Sequence, residues 1–101
     1  MPGYADALAA NRRLCILKLL VEDRGSSNDS VLEMALKSLG HHAGMDRAYV
    51  RDQLRFLETA GCLRIEFFKD QVMVARINDR GAAVASGAIR CEGVAEPSFG
   101  S

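Results

Sequence analysis

The stretch Val50-Arg51-Asp52-Gln53-Leu54-Arg55-Phe56-Leu57-Glu58-Thr59-Ala60-Gly61-Cys62-Leu63-Arg64-Ile65-Glu66-Phe67 changes its apolar rhythm at one glycine. Before Gly61, Val50, Leu54 and Leu57 recur at the three-and-four spacing of one helix face. After it, Leu63, Ile65 and Phe67 alternate with Arg64 and Glu66, the period of a half-buried strand. The stretch is a helix running into a strand, with Gly61 permitting the turn between them. Upstream, Asp46 is an N-cap residue and Met45 stands in staple register with Val50, so the helix is expected over Arg47 to Ala60. Downstream, Lys69-Asp70 separates the first strand from a second alternating run, Val72 to Ile77. Two strands joined by so short a polar link form a hairpin.

The flanking segments supply three more helices. From Tyr4 to Asp23 neither Gly nor Pro interrupts, and apolar residues follow two helical rows, Leu8, Cys15, Leu19 and Leu14, Leu17, Val21. Gly25 to Asp29 is a loop by composition, and Ser30-Val31-Leu32-Glu33 reads as a capping box that starts the second helix, ended by Gly40. Asn78 caps a last short helix rich in small residues, Gly81 to Ala85, which packing must hold because its propensity is weak. Beyond Gly87 periodicity disappears. The expected organisation is one domain over residues 1–87 and a loosely ordered tail over 88–101. The fold class is mainly α with a small β-hairpin (α+β), in the order helix, helix, helix, strand, strand, helix.

With 101 residues the chain has room for one core. Thirteen Lys and Arg balance thirteen Asp and Glu, so binding of phosphates through a strongly basic overall field is excluded and any nucleic-acid contact must be a local patch. The cysteines Cys15, Cys62 and Cys91 are odd in number and lack C-x-x-C spacing, which excludes a disulfide framework and a zinc knuckle and favours a reducing, cytoplasmic setting. The apolar run Leu14 to Val21 is too short to span a bilayer and no small-residue cleavage site follows it, so no membrane association is expected. There is no G-x-S-x-G, no Gly-rich phosphate loop and no H-E-x-x-H. Cys15 and Cys62 lie among apolar neighbours that keep a thiol unreactive. Enzymatic activity, cofactors, metals and a small-molecule effector are not expected. His41-His42 lacks partners at metal spacing and is expected to sit against the carbonyls ending the second helix.

In local signature the sequence resembles winged helix-turn-helix regulators. Val50 to Leu63 is similar to their pattern V-x-x-x-L-x-x-L-E-x-x-G-x-L, and Ile77-Asn78-Asp79-Arg80-Gly81 with Ala85 is similar to the L-T-x-x-G-x-x-x-A that closes the wing, with Asn78 in place of Thr. A narrower resemblance is carried by Asn11-Arg12-Arg13-Leu14 with Ile16 to Leu20, Leu39-Gly40-His41 ahead of Asp46-Arg47, and Gly93-Val94-Ala95-Glu96-Pro97. These look like the small winged-helix, arsenic-repressor-like protein of Mu-like phages and prophages. The resemblance implies a winged-helix fold whose third helix meets DNA. It does not carry metal sensing, because no cysteine pair lies on the third helix or the one before it.

With Val50, Leu54 and Leu57 inward, Arg47, Arg51 and Arg55 form an i, i+4, i+8 stripe on one flank of the third helix. Guanidinium forks can bind phosphates or take both acceptors of a guanine edge, and Lys69 at the wing tip is placed for backbone contact. Asp46, Asp52 and Glu58 lie on the same helix, and a solvated face of intrahelical ion pairs is the alternative. Tyr49, Gln53 and Phe56 occupy the opposite flank, either packed under the first helix or the wing or placed at a subunit interface. The girth of apolar residues on the first helix points to a homodimer, with Leu14, Ile16, Leu17 and Leu20 at the interface and Tyr49 and Phe56 at its edge. The expectation is a phage-type regulator that binds double-stranded DNA as a homodimer through Arg47, Arg51, Arg55 and Lys69. A winged-helix module that binds protein and no DNA is the alternative.

Overall fold

The amide of Cys62 reaches back to the Leu57 carbonyl across Gly61, whose φ of +81° lets the chain pass from a helix ending at Thr59 to a strand starting at Leu63 across three residues. This junction sits inside a computed structural model that describes residues 3–97. The elements are α1 (Tyr4–Glu22), β1 (Ser26–Asn28), α2 (Asp29–Ser38), α3 (Arg47–Thr59), β2 (Leu63–Phe68), β3 (Val72–Ile77) and α4 (Asp79–Ser86). The result is an α+β fold of four helices and a three-stranded antiparallel sheet in the order β1-β3-β2. Asp46 caps α3, its carboxylate accepting the Tyr49 amide at 2.7 Å, and Asn78 caps α4, accepting the Gly81 amide at 2.8 Å.

The strand β1 corrects the expected loop. Ser26, Ser27 and Asn28 pair with Arg76, Ala75 and Val74 of β3. Three polar residues have no intrinsic strand preference; the free edge of β3 supplies the backbone partners that make them one. Pairing holds Asn28 extended, the backbone an N-cap requires, so the cap of α2 falls two residues earlier than expected, with the Asn28 side chain accepting from the Val31 amide at 2.9 Å. The Ser30–Glu33 box is replaced: Ser30 accepts from Arg47, and Glu33 pairs with Lys37 at 2.8 Å. Gly40, at φ +96°, ends α2 as expected.

The core explains the apolar girth of α1. This helix touches α2, α3, α4, β1 and β3, and Leu14, Ile16, Leu17 and Leu20 are buried among Leu32, Leu36, Val50, Leu54, Leu57, Leu63, Met73 and Val84. The four α1 residues expected at a subunit interface are therefore interior to a single chain. The expectation underestimated how completely short elements can surround one helix. Each such side chain contributes about 1.5–3 kcal/mol through burial, satisfied here without a second copy.

The segment after α4 is also packed. Cys91 and Val94 are buried, the Ala95 amide donates to the Ala10 carbonyl at 3.1 Å, and Arg13 Nη1 donates to the Gly93 carbonyl at 2.9 Å. Residues 88–97 thus form a strap over α1, and the expected loose tail is corrected to that extent; residues 98–101 lie outside the described residues. Gly93 makes the approach possible, since a Cβ there, at φ +85°, would stand 2.4 Å from Phe56 Cζ. No helix is long and apolar enough to cross a membrane among the described residues.

Candidate nucleic-acid interface

The α3 stripe divides once its partners are known. Arg51 is anchored: Nε donates to Asp29 Oδ2 at 2.6 Å and Nη2 donates to the Gln71 carbonyl at 2.6 Å. Asp29 is 1% exposed and Arg51 24%, so the pair is largely withdrawn from water. This one guanidinium ties the start of α2, the middle of α3 and the hairpin tip together. It cannot read a base edge without taking from a buried carboxylate its close cationic partner.

Arg47 and Arg55 remain on the surface, with side chains 58% and 56% exposed. Arg47 Nη2 donates to Ser30 Oγ at 2.8 Å, with Nε 4.0 Å from Asp29 Oδ2, and Arg55 Nη1 donates to Asp52 Oδ1 at 3.3 Å. Contacts this exposed are worth well under 1 kcal/mol each and yield easily to a phosphate. The stripe therefore holds two exposed, weakly held cations and one strut.

The hairpin presents the fourth candidate. Lys69 and Asp70 are both left-handed, at φ +53° and +58°, and the Gln71 amide donates to the Phe68 carbonyl at 3.1 Å. Two successive left-handed residues suit the twist of a hairpin, at a cost for side chains other than Gly or Asn. Lys69 projects at the tip with Nζ 5.5 Å from the Phe68 ring centroid, beside exposed Phe67 and Phe68.

The opposite flank of α3 packs under α1, as one of the two expectations had it. The Arg13 guanidinium lies 3.6 Å from the Phe56 ring centroid with Nε donating to Gln53 Oε1 at 2.8 Å, and the Arg12 guanidinium lies 5.1 Å from the Tyr49 ring. Burial lowers the Arg13 pKa below the ordinary value. Tyr49 and Phe56, expected at the dimer edge, are thus half-buried partners of α1. Sequence reasoning missed Arg12, which is buried with Nε donating to His41 Nδ1 at 3.3 Å. His41 meets the end of α2 through its backbone, the amide donating to the Leu36 carbonyl at 3.0 Å, but its imidazole turns away from those carbonyls and lies between Arg12 and Cys15, whose Sγ is 3.7 Å from Nε2. Burial first, then the charges of Arg12 and His42, holds the imidazole pKa down, and burial holds the Cys15 thiol up. An arginine on Nδ1 disfavours the imidazolium that a Cys–His nucleophile pair requires. Among the described residues no three His, Cys, Asp or Glu side chains are grouped to hold a metal ion.

Comparison with known proteins places the chain. The uncharacterised protein gp26 of Escherichia phage Mu is 33% identical over 92 residues, covering 91% of this chain and 93% of gp26. The chain belongs to the phage Mu gp26 family. A match spanning that share of the chain takes in α3 and the whole hairpin, so the candidate surface lies within the shared region. An uncharacterised protein of Haemophilus influenzae is 35% identical over 78 residues, 77% of this chain and 74% of that protein. No family model and no solved structure matches.

Proposed function

We propose that this member of the gp26 family is a winged helix-turn-helix protein that binds double-stranded DNA and regulates transcription in a phage or prophage. The observation that carries the reading is the pairing of an amphipathic α3, with Arg47 and Arg55 exposed on its outer flank, to a short hairpin fixed against it through Arg51. The order α1, β1, α2, α3, β2, β3, with β3 central in the sheet, supports the winged-helix reading, in which α3 would enter the major groove with the hairpin alongside. Arg47, Arg55 and Lys69 are its DNA contacts and Arg51 its brace. A homodimer belongs to the same reading. Since Leu14, Ile16, Leu17 and Leu20 are core, the apolar side chains left for a second copy are exposed ones such as Val21, Val31, Met34 and Leu39.

Retardation of duplexes from the DNA flanking the gene, at low and moderate salt, tests this. Binding that weakens in Arg47→Ala and Arg55→Ala while the fold is kept supports it. A folded protein that retards no duplex at low salt refutes it. The protein-binding module is the second reading, favoured by the zero net charge and the diversion of Arg51 to a structural role. It predicts no retardation.

A further inference from the structure

The register of β2 against β3 sets Arg64 directly opposite Arg76. Their neighbours Leu63, Met73 and Ala75 are buried, so both arginines belong to the solvent face of the sheet, with side chains 73% and 52% exposed. Like charges directly opposite on adjacent strands destabilise a sheet. Here a single carboxylate oxygen serves both: Glu66 Oε1 accepts from Arg64 Nη2 at 2.9 Å and from Arg76 Nε at 3.2 Å. One negative charge against two guanidiniums leaves this end of the face positive. Along the same face lie Val74, Phe68 and Val72, and then the tip with Lys69 and Asp70. At roughly 3.3 Å per residue, the arginine pair stands about 13 Å from Phe68 and Val72, where the strands end, and about 16 Å from Lys69 at the tip, so the two groups of cations are well separated along one face.

We propose that the solvent face of the sheet is a second phosphate-contact surface for duplex DNA, anchored by Arg64 and Arg76, with Glu66 the group they exchange for backbone phosphates. The inference rests on the DNA-binding reading and extends its footprint from α3 and the wing tip along the hairpin. It also answers a shortage in that reading. With Arg51 held by Asp29, α3 and the tip offer three cations, Arg47, Arg55 and Lys69, and the sheet raises these to five.

The test is fluorescence anisotropy of the full chain with a labelled random-sequence duplex across a salt series, because phosphate contacts are independent of sequence. Five contacts give a slope of log K against log salt of about −4.5, and the Arg64→Gln/Arg76→Gln variant, with three left, about −2.7. Glu66→Gln should bind more tightly than the wild type at every salt concentration, although it removes the only carboxylate between two arginines and so cannot help the fold. Circular dichroism confirms that both variants are folded. A wild type that binds, with the same slope in the double variant and no gain in Glu66→Gln, overturns the sheet surface and leaves the α3 reading standing. A wild type that binds no duplex overturns both.

Discussion

Replacing Arg51 by methionine keeps an unbranched apolar stem and removes the guanidinium with its charge, which isolates what that group does for the fold. In the native chain it satisfies a carboxylate that is 1% exposed and the Gln71 carbonyl at the hairpin tip. Stranding one partner of a buried ion pair costs about 3–5 kcal/mol. Arg47 Nε, 4.0 Å from the same carboxylate oxygen, remains as a weak partner, and Arg51 itself is 24% exposed. The expected loss is therefore at the lower end, about 3 kcal/mol. In a domain of this size that is a fall in Tm of roughly 12–24 °C. Asp29→Asn/Arg51→Met, in which no charge is stranded, should recover a substantial part, giving a coupling of about 1–3 kcal/mol in a double-mutant cycle. Thermal and urea unfolding followed by circular dichroism read both quantities. A loss under about 0.5 kcal/mol for Arg51→Met, unchanged in the Asp29→Asn background, would refute the role of Arg51 as a strut and return it to the DNA-facing stripe.

Three further outcomes follow from particular contacts. Gly93→Ala should destabilise the fold by about 1–3 kcal/mol, since its Cβ would meet the Phe56 ring and its backbone is left-handed; faster proteolysis after α4 with α1 to α4 intact would show that the strap is what yields. Stability should fall on acidification through the imidazole range: the folded pKa of His41 lies below the unfolded one, so its contribution is present above about 6.5, the unfolded value, and is lost as pH falls through the folded pKa. His41→Gln should flatten that part of the pH profile, and a profile identical to wild type would exclude His41 as the source. Cys62, with a pKa raised to about 11 by burial and then by the neighbouring Cys91 thiol, should resist alkylation at neutral pH until the chain is unfolded, as mass spectrometry would record.

Much of this fold was legible from local pattern, and the unread parts share a cause. Val50, Leu54 and Leu57 mark the buried face of α3, and the alternation after Gly61 marks the hairpin, because each signal repeats within one element. Ser26-Ser27-Asn28 carries no such signal; it is a strand because β3, nearly fifty residues later, presents an open edge. The strap is unread for the same reason: Cys91, Gly93 and Val94 have no period, and their docking depends on Phe56 and Arg13. At the candidate site the sequence put Arg47, Arg51 and Arg55 on one flank, which the helix geometry repeats. Only the position of Asp29 at the start of α2 separates the middle arginine from its neighbours. The burial of Arg12 depends likewise on His41, on the far side of α2 in sequence.

On the proposed reading the outer flank of α3 and the hairpin face the nucleic acid. An amide chemical-shift titration of the isotope-labelled chain with a short duplex at low salt tests it residue by residue. Perturbations should concentrate at Arg47, Arg55 and Lys69 and vanish together as salt is raised, with α4 and the strap unaffected. Perturbations confined to the α2 surface around Val31, Met34 and Leu39, or none in a folded protein at low salt, would contradict it.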